Sequence, residues 1–151
     1  MSLETEIKQT RFQSEHQKAA INVLLTGNWL YNQNALFLKQ HGLTPEQFNV
    51  LRILRGNHPK PMMLLEITER MIDKSSNCTR LVEKLRQKGW VKREICATNR
   101  RQVDIFITPK GLAVLTKIDA AISQNPLQQL QTRLTKTEAS ELNKLLDKIR
   151  G

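Results

Sequence analysis

Ser75, Ser76, Asn77, Thr79, Arg80 and Lys84 crowd one short stretch of the chain. Their chemistry is recognition of a polyanion. Short hydroxyls permit close approach, Asn and Arg pair with base edges in a major groove, and flanking Lys and Arg meet phosphates and set the register. A second group, Arg100 and Arg101, follows within Ala97-Thr98-Asn99-Arg100-Arg101. Paired arginines on a loop tip suit phosphates or a narrow minor groove, where the negative potential is strongest.

These side chains need a scaffold, and the surrounding pattern supplies one over residues 63–108. A short helix is expected over residues 63–71, burying Leu64 or Leu65, Ile67 and Met71. Asp73 reads as the N-cap of a second helix running to Lys88, with Cys78, Leu81, Val82 and Leu85 on its buried face. Gly89 stops that helix. Residues 90–95 and Val103-Asp104-Ile105-Phe106-Ile107 then read as the arms of a hairpin, with the paired arginines at its tip. Taken alone, the second helix could be an ordinary surface helix with a polar outer face. Two helices followed by a basic hairpin favour insertion into a DNA groove.

Long helical patterns flank this unit. Residues 1–14 are polar, with Leu3, Ile7 and Phe12 scattered through a frayed helix or an arm. A helix of about 20 residues is expected next, because Ala20, Ile21, Leu24, Leu25, Leu30, Tyr31, Ala35 and Leu38 recur at three- and four-residue intervals. Gly42 ends it. Thr44-Pro45-Glu46-Gln47 combines an N-cap, a first-position proline and a capping-box partner, and launches a helix burying Phe48, Leu51, Ile53 and Leu54. After the hairpin, Thr108-Pro109 starts a helix carrying Leu112, Val114, Leu115, Ile118 and Ile122, and Asn125-Pro126 breaks it. Thr135 and Glu138 form a second capping box ahead of Leu142, Leu145, Leu146 and Ile149. Apolar stripes on helices at both ends suggest shared packing in a homodimer, with Ile21, Leu24, Leu25, Leu142, Leu145, Leu146 and Ile149 as its contacts.

Composition narrows the function classes. The 151 residues have room for one real core. The net charge is +10, and 14 of the 24 Lys/Arg but only 6 of the 14 Asp/Glu fall within residues 52–110. The basic field therefore belongs to the central unit and implies an anionic partner. Cys78 and Cys96 make neither a disulfide scaffold nor a metal set, which fits a reducing cytoplasm. No membrane span or secretory signal is evident, so neither a membrane role nor export is expected. His16, His41 and His58 are scattered, and no catalytic set, phosphate-binding glycine loop, metal site or cofactor motif can be read. An enzyme is not expected.

The sequence resembles the MarR family of winged-helix regulators. The resemblance rests on Leu43-Thr44-Pro45-Glu46-Gln47-Phe48 with Val50, Leu51 and Leu54, on the helix pair over residues 64–88, and on Gly89-Trp90-Val91-Lys92-Arg93. Asn99-Arg100-Arg101 and Ile107-Thr108-Pro109-Lys110-Gly111 stand for the family's wing tip and following helix start. It implies a mainly α fold with a small β wing, in a single domain over residues 1–151. Residues 43–108 would form the winged helix-turn-helix, and residues 1–40 and 109–151 the dimerisation region. It also implies a homodimer on a pseudo-palindromic duplex and control of transcription, usually repression. One departure stands in the wing. Asn99 occupies the place of an Asp whose ion pair steadies the wing in the family. Redox-sensing members carry a reactive Cys in the N-terminal helical region, which has none here, so peroxide sensing gains no support.

The resemblance further implies a small-molecule cavity between the dimerisation helices and the winged domain. Trp29, Tyr31 and Phe48 are the aromatic residues nearest that junction in sequence. They suit a small aromatic or anionic effector, although all three also fit as core or interface packing. The competing reading of the whole chain is a winged helix used for nonspecific DNA binding or for protein interaction.

Overall fold

The computed structural model describes residues 1–151, except for the side chain of Ile122. The chain runs α1 (Leu3–Ile7), α2 (Glu15–Lys39), α3 (Pro45–Asn57), α4 (Leu64–Arg70), α5 (Cys78–Gln87), β1 (Val91–Ile95), β2 (Val103–Ile107), α6 (Pro109–Ala120) and α7 (Lys136–Arg150). Two 3₁₀ turns, Ile122–Gln124 and Gln128–Thr132, link the last two helices. The mainly α fold with a β wing agrees with the reading from sequence. The expected apolar position at Ile122 lies outside the described residues.

Local chemistry sets most helix starts. Thr44 accepts the Gln47 N–H and the Gln47 side chain accepts the Thr44 N–H, each at 3.1 Å, with Pro45 in the first turn of α3. Thr135 and Glu138 make the same reciprocal pair ahead of α7. α2 begins at Ser14, whose hydroxyl accepts the Gln17 N–H, and it runs 25 residues through Gly27. α1 is a single short helix ahead of it.

The core is built from α3 to α6 and the C-terminal end of α2. Phe37 and Leu38 meet Leu51, Leu54, Ile67, Met71, Val82, Leu85, Ile105, Leu115 and Ile118 there. The alternative at α4 resolves in favour of Leu64, which packs on the core, whereas Leu65 is exposed. Val91 of β1 pairs antiparallel with Ile107 of β2, and Ile95 pairs with Val103. Met62 adds a bridge to Ile105 that joins the start of α4 to the wing.

Two glycines enable this arrangement. Gly89 takes φ +76° in the turn from α5 into the wing, a conformation open chiefly to glycine. At Gly111 the constraint is space: a Cβ would lie 2.3 Å from the Trp90 carbonyl oxygen. The first turn of α6 therefore sits directly on the base of the wing. Thr108 locks this joint, donating its hydroxyl to the Gly89 carbonyl at 2.7 Å and accepting the Gly111 N–H.

The terminal helices leave apolar surface uncovered. α7 has no buried residue, and Leu142, Leu145 and Ile149 are exposed, with Leu146 half-buried. On α2, Leu24 is exposed while Ile21 and Leu25 are half-buried.

Candidate nucleic-acid interface

The residues singled out in α5 do not all lie on one helical face. α5 begins at Cys78, and Asn77 is its N-cap, with its side-chain oxygen accepting the Arg80 N–H at 3.1 Å. This corrects the expectation that Asp73 caps this helix. Asp73 instead organises the preceding turn: its Oδ1 accepts the Ser75 N–H at 2.9 Å and the Ser75 hydroxyl at 2.7 Å. Those bonds hold its carboxyl below the usual carboxylate range. Both residues satisfy the local capping rule, but the buried placement of Met71 and Cys78 leaves a turn between them.

The shift changes the role of three residues. Ser75 stays exposed on the turn. Ser76 is half-buried, and its Oγ is enclosed with no partner among the described residues, so it faces inward. Asn77 has committed its oxygen to the cap and keeps only its amide N–H groups free to donate. Thr79, Arg80 and Lys84 are exposed along α5, as expected.

The wing completes the surface. Its tip closes through Gln102 N–H to Asn99 O at 3.0 Å and Cys96 N–H to Gln102 O at 2.9 Å. The Asn99 side chain accepts the Arg101 N–H at 3.1 Å, so a neutral hydrogen bond orders the tip where the family resemblance implies an ion pair. A cleft of about 330 Å³ separates the wing from the helix pair, with Thr79 on one wall and Arg101, Gln102 and Arg93 on the other. On the wing the Thr98 hydroxyl, 3.3 Å away, lowers the Cys96 thiol pKa, whereas Cys78 is buried in the core.

Electrostatic pairing divides the cations in two. Arg86 donates to both carboxylate oxygens of Glu83, at 2.9 and 2.7 Å, and Arg93 of β1 approaches Glu83 Oε2 at 3.6 Å. The Arg86 hydrogen bonds, with smaller contributions from the charges of Arg86 and Arg93 and from the Gln87 amide, bring the Glu83 pKa down to about 2. Lys92 pairs with Glu94 at 3.0 Å. Among the described residues, Arg80, Lys84, Arg100 and Arg101 have no acid partner. Reading the sequence misses the Glu83 cluster. The three-residue spacing of Glu83 and Arg86 on a helix signals half of it.

A second cleft, of about 290 Å³, opens between α2, α3 and the turn after α4. Leu30, Tyr31, Phe48, Arg52, Met71 and Leu127 contribute to its lining. Arg52 lies 5.7 Å above the Phe48 ring. Trp29 does not belong here. It stacks under Arg133 at 5.2 Å, since two residues along a helix turn the side chain by about 200° from Tyr31.

Among the described residues no group of His, Cys, Asp and Glu could hold a metal ion. Nor, among the described residues, is any helix long and apolar enough to cross a membrane.

Comparison with known proteins places this architecture. Residues 43–103 match the family model of MarR. The chain is 37% identical over 82 residues to the uncharacterised HTH-type transcriptional regulator YkoM of Bacillus subtilis, covering 53% of this chain and 51% of the relative. The match thus spans about half the length of that relative. Over 114 residues it is 30% identical to the multiple antibiotic resistance protein MarR of Salmonella typhimurium, covering 75% of this chain and 77% of that protein. The fold also superposes on a mutant MarR from Escherichia coli complexed with operator DNA, with a TM-score of 0.76 and 22% identity over 99% of both chains. This chain belongs to the MarR family of transcriptional regulators.

Proposed function

We propose that this protein is a sequence-specific, double-stranded DNA-binding regulator that acts as a repressor. A homodimer binds a pseudo-palindromic operator in the cytoplasm. Residues 43–108 form the DNA-binding region of the single domain, and residues 1–40 and 109–151 the dimerisation region. One observation carries the reading: among the described residues Arg80 and Lys84 of α5 and Arg100 and Arg101 of the wing tip lack acid partners, while Arg86, Lys92 and Arg93 are neutralised by Glu83 and Glu94. Arg80 and Lys84, with Thr79, Ser75 and the Asn77 amide, serve the major groove and its phosphates. Arg100 and Arg101 serve the adjacent minor groove or its backbone.

The uncovered apolar stripes of α2 and α7 are the dimer contacts, because solvent exposure of Leu24, Leu142, Leu145 and Ile149 is unfavourable for an isolated chain. An aromatic carboxylate is the proposed effector for the cleft holding Tyr31 and Phe48. Arg52, free of any acid partner among the described residues, would meet its charge. Selection of bound duplexes from a random pool tests the central reading. Enrichment of an inverted repeat is expected. Salt-sensitive binding without enrichment would favour nonspecific DNA binding or a protein-interaction role.

A further inference from the structure

A carboxylate on the outer side of a DNA-reading helix is costly, since it repels every phosphate nearby. Glu83 stands one turn beyond Thr79 and beside Lys84. Its carboxylate takes Arg86 from its own helix through two hydrogen bonds. Oε2, which already accepts Arg86 Nε, also faces Arg93 Nη1 of β1. Arg93 in turn lines the cleft opposite Thr79, beside Arg101 and Gln102 of the wing. Glu83 is thus the ionic tie between α5 and the wing strand, and it holds two arginines in one paired cluster.

We propose that Glu83 is a specificity-determining positioning residue, holding the wing at a set angle to α5 and withholding Arg86 and Arg93 from phosphates. The proposal rests on the DNA-binding reading above. The three side chains are 37–49% exposed, so such pairs add little to fold stability. Their effect is on geometry and on where charge is available. Arginines free to reach any phosphate tighten binding to all duplexes alike, because counterion release carries no sequence information. Keeping Arg86 and Arg93 paired leaves discrimination to residues whose position relative to the bases is defined.

The test measures affinity for a selected duplex and a scrambled one across a salt series, for the full chain and three variants. Glu83→Gln keeps the shape and removes the charge. It should tighten scrambled-duplex binding, steepen its salt dependence by about one phosphate contact, and cut the selected-to-scrambled ratio about tenfold. Arg93→Gln should lower the ratio without the nonspecific gain. The double variant should show no further loss of ratio than Glu83→Gln, since both changes break one tie. Thermal melting of all variants should stay near that of the parent.

Equal tightening of both duplexes by Glu83→Gln, with the ratio unchanged, would reduce Glu83 to a repelling surface charge and overturn the proposal. Additive losses in the double variant would overturn it as well, as would a proportional loss on both duplexes accompanied by lower melting. A parent chain that shows no preference for any duplex would instead remove the DNA-reading function itself, and this inference with it.

Discussion

The Tyr31 hydroxyl donates a 2.6 Å hydrogen bond to Oε1 of Glu46, joining α2 to the first turn of α3 beside the apolar cleft. Its pKa is pushed up to about 12, first by this bond, then by burial and the charges of Glu46 and Asp73. Because the folded value exceeds the ordinary value of 10.0, the contribution is fully present below pH 10 and lost as pH rises toward 12. Tyr31→Phe should cost about 1 kcal/mol at neutral pH, less than a buried bond to a charged acceptor contributes, because Tyr31 is 48% exposed. Urea unfolding at several pH values checks this. The gap between parent and variant should narrow above pH 10, and a gap independent of pH would show that the bond contributes nothing.

Gly111 and Gly56 should respond oppositely to alanine. At Gly111 the new Cβ meets the Trp90 carbonyl oxygen and Ile107 Cγ1, and backbone cannot yield as a flexible side chain does. The expected loss is about 1–3 kcal/mol, as for overpacking in a core. Gly56, in the last turns of α3, has nothing within 4 Å of the place an alanine methyl would take, and alanine there should add about 0.5–1 kcal/mol. Denaturant midpoints for both variants decide the matter.

Arg101→Ala should weaken operator binding by about 1–2 kcal/mol, and most on sites with A·T-rich flanks, where the minor groove is narrow. Competition binding between A·T-rich and G·C-rich flanks provides the measurement. Equal losses on both would limit Arg101 to a phosphate contact.

Replacing Leu142 and Leu146 together by Glu should leave a species of 17.4 kDa in sedimentation at micromolar concentration. The exposed stripe of α7 would then carry charge where a partner helix must pack. Operator affinity should fall with it, since one winged unit makes fewer phosphate contacts. A variant that still sediments as a dimer would place the interface elsewhere.

An aromatic carboxylate should bind the free protein and lower its affinity for duplex, and duplex should weaken acid binding by the same factor. Arg52→Met should reduce acid affinity about tenfold by removing the cation at the cleft. Calorimetric titration with and without duplex is the appropriate measurement, because Trp29 stacks under Arg133, away from the site. Acid binding that ignores both DNA and Arg52 would leave the cleft without a regulatory role.

Much of this molecule is legible in its residues taken in order, because capping and periodicity are local. Thr44 with Gln47, Thr108 with Gly111 and Thr135 with Glu138 each complete their bonds within four residues, so three helix starts follow from type and spacing. The buried face of α5 and the hairpin around Arg100 and Arg101 are equally local. The start of α5 is not. Asp73 and Asn77 are both adequate caps, and packing of Met71 and Cys78 into the core chooses between them, which turns Ser76 inward. Nor is any side-chain pairing across elements: Glu83 with Arg93, Tyr31 with Glu46, or Arg55 with Asp119, which are 64 positions apart and bond at 2.6 Å. Charges that look equivalent along the chain become paired or free only when helices and strands are brought side by side. That separation of Arg93 from Arg101 was decided by the tertiary structure alone.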